Sequence, residues 1–181
     1  MGTLRYSIIS SLDGFAADTG GDIAWSAPSP EVLAWINERE HDVEVQVLGR
    51  RMYDTLKVWD DWPPGVAEEE DYAALWARTD KIVCSDTLTR VEAPRTTLEP
   101  RLTARRVREV VAATDGVVVV SGPTTAAVAW QAGLVDEVDL IILPQLVGGG
   151  LAALPPGGHG ALRLEEERRF TDGTVVLRYA R

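Results

Sequence analysis

Two short runs carry residue types suited to binding a phosphate. Leu48-Gly49-Arg50-Arg51 sits where an apolar run ends and a helical pattern begins. A helix start offers unpaired N–H groups, glycine allows close backbone approach, and two guanidinium groups could add charge-assisted bonds. The same run is also compatible with a pair of solvated arginines. Val120-Ser121-Gly122-Pro123-Thr124-Thr125 follows a second apolar run and opens a second helical pattern. Its backbone could cradle a pyrophosphate, or it could be a plain strand–helix turn capped by Thr124. It is not the Gly-x-Gly-x-x-Gly pattern of ordinary dinucleotide folds.

Three further positions could serve a ligand. Ser85 and Thr87 follow the run Lys81 to Cys84, where hydroxyls either bind ligands or cap turns. Asp13-Gly14 closes the first apolar run, and Asp13 could orient a loop over a ligand or form a local Asx-turn. Trp25, Trp35, Trp59 and Trp62 could wall a site for a flat heterocycle or fill the core. The two histidines, His41 and His159, have no evident partner, and no His/Cys/Asp cluster has metal-ligand spacing.

The elements that position these residues follow from periodicity. Leu4 to Ser10, Val43 to Leu48, Lys81 to Cys84, Val117 to Val120 and Val138 to Leu143 read as strands. The unbroken valines at 117–120 suit a strand buried on both faces. Helices are expected from a Ser29 cap with Pro30 at the first position, and over Arg50 to Val58, Asp71 to Arg78, Thr103 to Thr114 and Thr124 to Ala132. Trp59 to Glu70 reads as a proline- and acid-rich loop. Leu162 to Arg169 and Thr174 to Ala180 form a hairpin about Asp172-Gly173. Strands alternating with helices imply an α/β domain with a mainly parallel sheet and an antiparallel C-terminal edge.

The 181 residues suit one domain spanning 1–181, large enough to bury roughly 70% of its unfolded surface. The single cysteine, Cys84, permits no internal disulfide and fits a reducing compartment. With no leader or membrane-spanning run in view, a cytoplasmic protein is expected. A net charge of −10 argues against a general nucleic-acid role.

Five segments in order, Ser11-Leu12-Asp13-Gly14-Phe15, Leu48 to Tyr53, Val83 to Leu88, Gly133 to Glu137 and Pro144 to Gly150, resemble the dihydrofolate reductase superfamily. The chain is most similar there to the C-terminal reductase domain of the riboflavin-biosynthesis deaminase–reductase and its stand-alone relatives. The resemblance implies a three-layer α/β fold and an NADPH-dependent reductase of a pterin- or pyrimidine-like small molecule. It assigns Gly49, Arg50, Arg51 and Ser85 to the adenosine phosphate, and Ser121, Gly122, Thr124 and Thr125 to the pyrophosphate turn. Ile9 would run beside the nicotinamide, with Ala17 and Ile23 on the covering loop and Trp25 and Asp13 toward the substrate. Glu31 is the nearest carboxylate to the helix acid that assists protonation, although Val32 takes that position in the alternative register. A homodimer paired through the terminal hairpin is implied as well. Ser121, Pro123 and Asp86 depart from the family pattern. They point toward weaker NADPH binding, toward NADH, or toward a non-catalytic ligand-binding protein.

Overall fold

The structure, a computed structural model, describes residues 2–181. It opens with β1 (Thr3–Ser11) and a short β2 (Phe15–Ala17), then α1 (Pro30–Glu40), β3 (Val43–Gly49) and α2 (Arg50–Leu56). Next come α3 (Ala67–Arg78), β4 (Asp80–Cys84), β5 (Thr96–Glu99), α4 (Ala104–Ala113), β6 (Val117–Ser121) and α5 (Pro123–Gln131). The chain ends with β7 (Glu137–Leu143), β8 (Leu151–Ala152), β9 (Arg163–Arg169) and β10 (Val175–Ala180).

Eight strands form one sheet in the order β5-β4-β3-β6-β1-β7-β10-β9. The first six are parallel, and β10 and β9 add antiparallel. Val117 to Val120 are all buried because β6 lies between β3 and β1 with side chains on both sides. On one face Val107 and Val110 of α4 and Ala126 and Ala129 of α5 pack on Leu4, Tyr6, Ile8, Val118 and Val120. On the other, Val32 and Trp35 of α1 cover Ile141 and Val176, while Tyr53 of α2 and Trp76 of α3 cover Leu48 and Val83. The result is three layers, with helices on both faces of a mainly parallel sheet.

Helix boundaries follow local chemistry. Ser29 accepts from the Val32 N–H and Pro30 starts α1, as its sequence implies. Thr103 caps α4 through the Arg106 N–H. Thr124 is not the cap of α5: Gly122 takes that position at φ 84°, and Pro123 is the first helical residue. The Trp59 to Glu70 segment is more structured than a loop. A 3-10 turn runs over Lys57–Asp61, and α3 begins at Ala67. Trp59 stacks on Trp62 and Tyr72, and the indole of Trp76 donates to Asp60, so four aromatic rings organise what composition alone marks as coil. The short strands β2, β5 and β8 have no period long enough to show in sequence.

A charged ladder crosses the sheet beneath α1. Arg5, 1% exposed, lies 3.6 Å from Asp139, itself 1% exposed, and donates to Glu137 at 3.0 Å. Arg39 of α1 bonds both acids at 3.0 Å. Arg178 lies 3.5 Å from Asp139 and donates to Glu166 of β9 at 2.6 Å. Cations and anions therefore alternate over β1, β7, β10 and β9, and couple the terminal hairpin to the parallel sheet.

Glu40 sits near this ladder in a different state. It is 8% exposed and accepts one hydrogen bond from Gln46 Nε2 at 2.9 Å. Burial outweighs that bond and raises its carboxyl to about 7. Its ordinary value in an unfolded chain is lower, so the folded state takes up a proton as pH falls through this interval, and stability declines as pH rises from about 4.5 to 7. Glu40→Gln keeps the shape and removes the charge. Its unfolding free energy should exceed that of the parent at pH 8, by an amount on the order of 1–3 kcal/mol, and the gain should vanish below pH 4.5. Thermal denaturation at the two pH values checks this.

Candidate functional site

The strand order places the crevice. The segment leaving β1 reaches α1 on one face, whereas β6 leads directly into α5 on the other, and β1 and β6 are neighbours. A crevice opens at the carboxyl ends of parallel strands where such connections diverge. Gly49, Ser85 and Ser121 all lie at that edge, at or just past the ends of β3, β4 and β6.

The two phosphate-friendly runs meet here. Leu48 pairs with Ser121 in the β3–β6 ladder. A side-chain carbon on Gly49 would lie 2.3 Å from Thr125 Oγ1, so a larger residue here would have to turn the Thr125 hydroxyl aside. Gly122, at φ 84°, turns the chain sharply out of β6, and the Ala126 N–H bonds back to its carbonyl. Pro123 contributes no donor. The first-turn N–H groups of Thr124 and Thr125 remain for an anion. Thr124 is exposed and Thr125 half-buried.

Arg50 and Arg51 leave the same strand end on α2, and both are exposed. Arg50 donates to Thr87 Oγ1 at 3.1 Å and lies 3.6 Å from Asp54. Arg51 has no carboxylate partner among the described residues. Ser85 accepts from the N–H groups of Thr87 and Leu88, which makes it the cap of its turn. Asp86, expected to repel a phosphate, is instead paired with Arg101 at 2.7 Å. That pairing holds its carboxyl below the ordinary range, through the Arg101 side-chain hydrogen bonds above all.

The opposite lip is built from three loops. Asp13 accepts from Ser11 Oγ, and from the N–H groups of Val147 and Gly148 at 3.2 and 2.8 Å. It therefore ties the β1–β2 turn to the Gly148–Gly150 loop rather than standing free for substrate. β2 pairs antiparallel with β8, and Ala17 is buried in that pairing. Asp18 closes the following loop by accepting from the N–H groups of Gly20 and Asp22. Trp25 is half-buried, and its indole donates to the Asp22 carbonyl at 3.1 Å. Ile9 is half-buried against Val32, Trp35 and their neighbours.

The Glu31 carboxylate is engaged by the terminal hairpin. Its carboxylate accepts from the Thr171 N–H and Oγ1 at 3.1 and 2.6 Å, and those bonds hold its pKa down. It thus fastens α1 to the β9–β10 turn as an ionised group. Val32, wholly buried, takes the sheet-facing place on α1. Trp35 is a core residue at 3% exposure, and Trp59 and Trp62 belong to the aromatic cluster on α3, so the four tryptophans do not form one wall. His159 lies instead in a small depression with Trp130, Leu162 and Arg181. Among the described residues no group of His, Cys, Asp and Glu is placed to hold a metal, and no helix is long and apolar enough to cross a membrane.

Residues 3–177 match the family model of the RibD C-terminal domain. The chain belongs to that family. No curated protein matches it. Solved structures share the fold of this RibD C-terminal domain at low identity. A putative riboflavin biosynthesis protein from Shewanella sp. PV-4 is 23% identical, with 99% of this chain and 98% of that one covered and a TM-score of 0.70. A pyrimidine reductase-like protein from Corynebacterium diphtheriae is 14% identical over 98% and 91%, with a TM-score of 0.69. Dihydrofolate reductase from Enterococcus faecalis, in complex with NADP(H) and RAB-propyl, is 14% identical over 99% and 96%, with a TM-score of 0.64. The fold is thus dihydrofolate-reductase-like. The deaminase/reductase of Thermotoga maritima, with a TM-score of 0.65 and 14% identity over 99% of this chain, is longer, and the match spans 56% of it.

Proposed function

We propose that this protein is an NADPH-dependent oxidoreductase acting on a small ribosylated pyrimidine or a similar heterocycle. The observation that carries the reading is the convergence of Gly49, Gly122 and the Arg50–Arg51 pair at one sheet edge of a RibD C-terminal domain. Gly49, beside the Thr125 hydroxyl, and Gly122, at φ 84°, put no side chains of their own at this edge, which suits a pyrophosphate.

When bound, the nicotinamide would supply a hydride to an electrophilic carbon. The chain's own task is to hold the two reactants in line and keep water out. The Thr124 and Thr125 N–H groups would hold the pyrophosphate and Arg50, Arg51 and Ser85 the adenosine end. Ile9, Ala17 and the loop closed by Asp18 would border the nicotinamide. With Val32 in the sheet-facing place of α1 and Glu31 tied to Thr171, no side-chain acid is aimed at a pterin nitrogen. That favours hydride transfer to a ribosyl carbonyl or its C=N equivalent, with the proton taken from water; the similar Thermotoga maritima protein is named as a deaminase and 5-amino-6-(5-phosphoribosylamino)uracil reductase. The test is to mix the protein with NADPH and that aminouracil. Loss of reduced nicotinamide absorbance with formation of the ribityl product supports the reading. Tight binding of NADPH without turnover on this substrate or on dihydropterins would leave a ligand-binding protein.

The same reading extends to a homodimer through the terminal hairpin. β9 is an edge strand with nearly every residue exposed; Leu164 on it and Leu162 just before it are 45% and 37% exposed. Unpaired strand edges and exposed leucines are suited to a second copy. Light scattering should give twice the chain mass, and Leu164→Glu should give a monomer. A monomeric parent at micromolar concentration contradicts the dimer.

A further inference from the structure

The two halves of the cleft carry opposite charge. Arg50 and Arg51 stand on the β3–β4 side, at the start of α2. On the other side the sequence holds neither lysine nor arginine from Tyr6 to Glu38, nor from Glu109 to Leu162. Those two runs supply the carboxyl ends of β1, β6 and β7, the β1–β2 turn, the start of α1 and the Gly148–Gly150 loop. The carboxylates of Asp13, Asp18, Asp22 and Glu31 stand there instead, with Asp172 on the adjoining β9–β10 turn. All but the half-buried Asp18 are exposed. Hydrogen bonds, chiefly from Ser11, Thr171 and Ser29, hold Asp13, Glu31 and Asp172 below the ordinary carboxylate range. This lip is therefore anionic at neutral pH.

The surrounding cations are spent or distant. Arg39 is engaged by Glu137 and Asp139, and Lys57 by Asp54 at 3.1 Å. Arg168 and Arg169 end β9, two strands beyond β7 and so roughly 10 Å away at ordinary strand spacing. Arg168 also stacks on the Phe170 ring at 4.9 Å. What this lip exposes besides acids is apolar. Leu12 and Leu146 are 64% and 73% exposed, and the Leu12 N–H donates to the Gln145 carbonyl at 2.8 Å, which brings both leucines to neighbouring places on the rim. With the dinucleotide on the β3–β6 half, the second reactant falls to the β1–β7 half. A phosphate on that reactant would meet charge of its own sign and no guanidinium. We propose that the second reactant is an uncharged heterocycle and that the β1–β7 lip selects against its phosphorylated form. This rests on the reading of the chain as a dinucleotide-dependent reductase, and it narrows the ribosylated pyrimidines to the unphosphorylated riboside. Selection of this kind works by repelling the wrong ligand as much as by holding the right one.

5-Amino-6-(ribosylamino)uracil and its 5′-phosphate differ only in the group at issue. With the protein saturated in NADPH, the riboside should show a kcat/KM at least about tenfold above that of the phosphate. The ratio should shrink as salt rises from about 0.05 to 0.5 M, because screening then shortens to about 4 Å. Leu146→Lys changes an exposed side chain, so it should fold as the parent does and narrow the ratio by placing a cation on the lip. A ratio that neither salt nor Leu146→Lys alters comes from contacts rather than charge and overturns the assignment. An equal or higher kcat/KM for the phosphate also overturns it, and leaves the reductase reading intact. If NADPH binds but neither compound is reduced, equilibrium binding to the protein loaded with NADP+ reads the same preference. Tighter binding of the riboside then supports the charge selection, and equal binding or none overturns it. A protein that binds neither NADPH nor NADH removes the reductase reading and this inference together.

Discussion

Arg5→Ala should destabilise the protein by about 3–5 kcal/mol, the cost of leaving buried charge without its partner. Arg5 is 1% exposed and stands against Asp42, Glu137 and Asp139, and its Nη1 also donates to the Arg39 carbonyl at 2.7 Å. With the guanidinium gone, Asp139 keeps Arg39 and Arg178, but Arg178 also serves Glu166 across the terminal hairpin. The ladder that couples β1 to β9 would then lose one end. Urea denaturation of the parent and variant measures the difference, and a loss below about 1 kcal/mol would show that the ladder closes around the gap. Arg5→Lys should recover little, because a single ammonium cannot span acids on β7 and the carbonyl on α1 together.

The second large effect falls on the cleft itself. Gly150 has φ 135°, and a side-chain carbon there would lie 2.0 Å from the Ala17 carbonyl oxygen and 2.5 Å from the Asp18 carbonyl carbon. Both are backbone atoms, so no rotamer change relieves the contact. Gly150→Ala must push β2 and the Asp18 loop away from the Gly148–Gly150 loop, against the bonds Asp13 makes to Val147 and Gly148. The strained conformation alone costs about 1–3 kcal/mol. The central strands β6, β1 and β7 keep their own pairing, so the variant should stay folded while amide exchange over Ala17 to Asp22 speeds up. If these loops cover the nicotinamide, turnover with NADPH should fall by at least about tenfold, since small misplacements of reacting atoms carry large rate penalties. Unchanged exchange and unchanged turnover would remove the loops from the account.

Much of this architecture is legible in the sequence. The valine run at 117–120, the Ser29-Pro30 start and the Asp172-Gly173 turn each encode their element locally, and the sheet follows from how they alternate. The order of motifs carried the family resemblance, since Gly49, Ser85 and Ser121 reach one edge only because their strands are parallel. What sequence concealed was non-local pairing. Asp86 looked like a repulsive charge because Arg101 lies 15 residues away on another element. Glu31 looked like a free acid because its partner Thr171 is 140 residues away. The strands β2 and β8, two or three residues each, exist only as a pair, and the Gly148–Gly150 run signalled a loop without showing what it approaches.

The account is tested most directly by titrating the protein with NADPH and with NADH while following tryptophan fluorescence and backbone amide shifts. It predicts saturable binding of NADPH, with the largest amide shifts at Gly49 to Arg51, Ser85 to Thr87 and Ser121 to Thr125. Absence of binding by either dinucleotide at millimolar concentration, or shifts confined to the opposite edge of the sheet near Trp130 and His159, would contradict it.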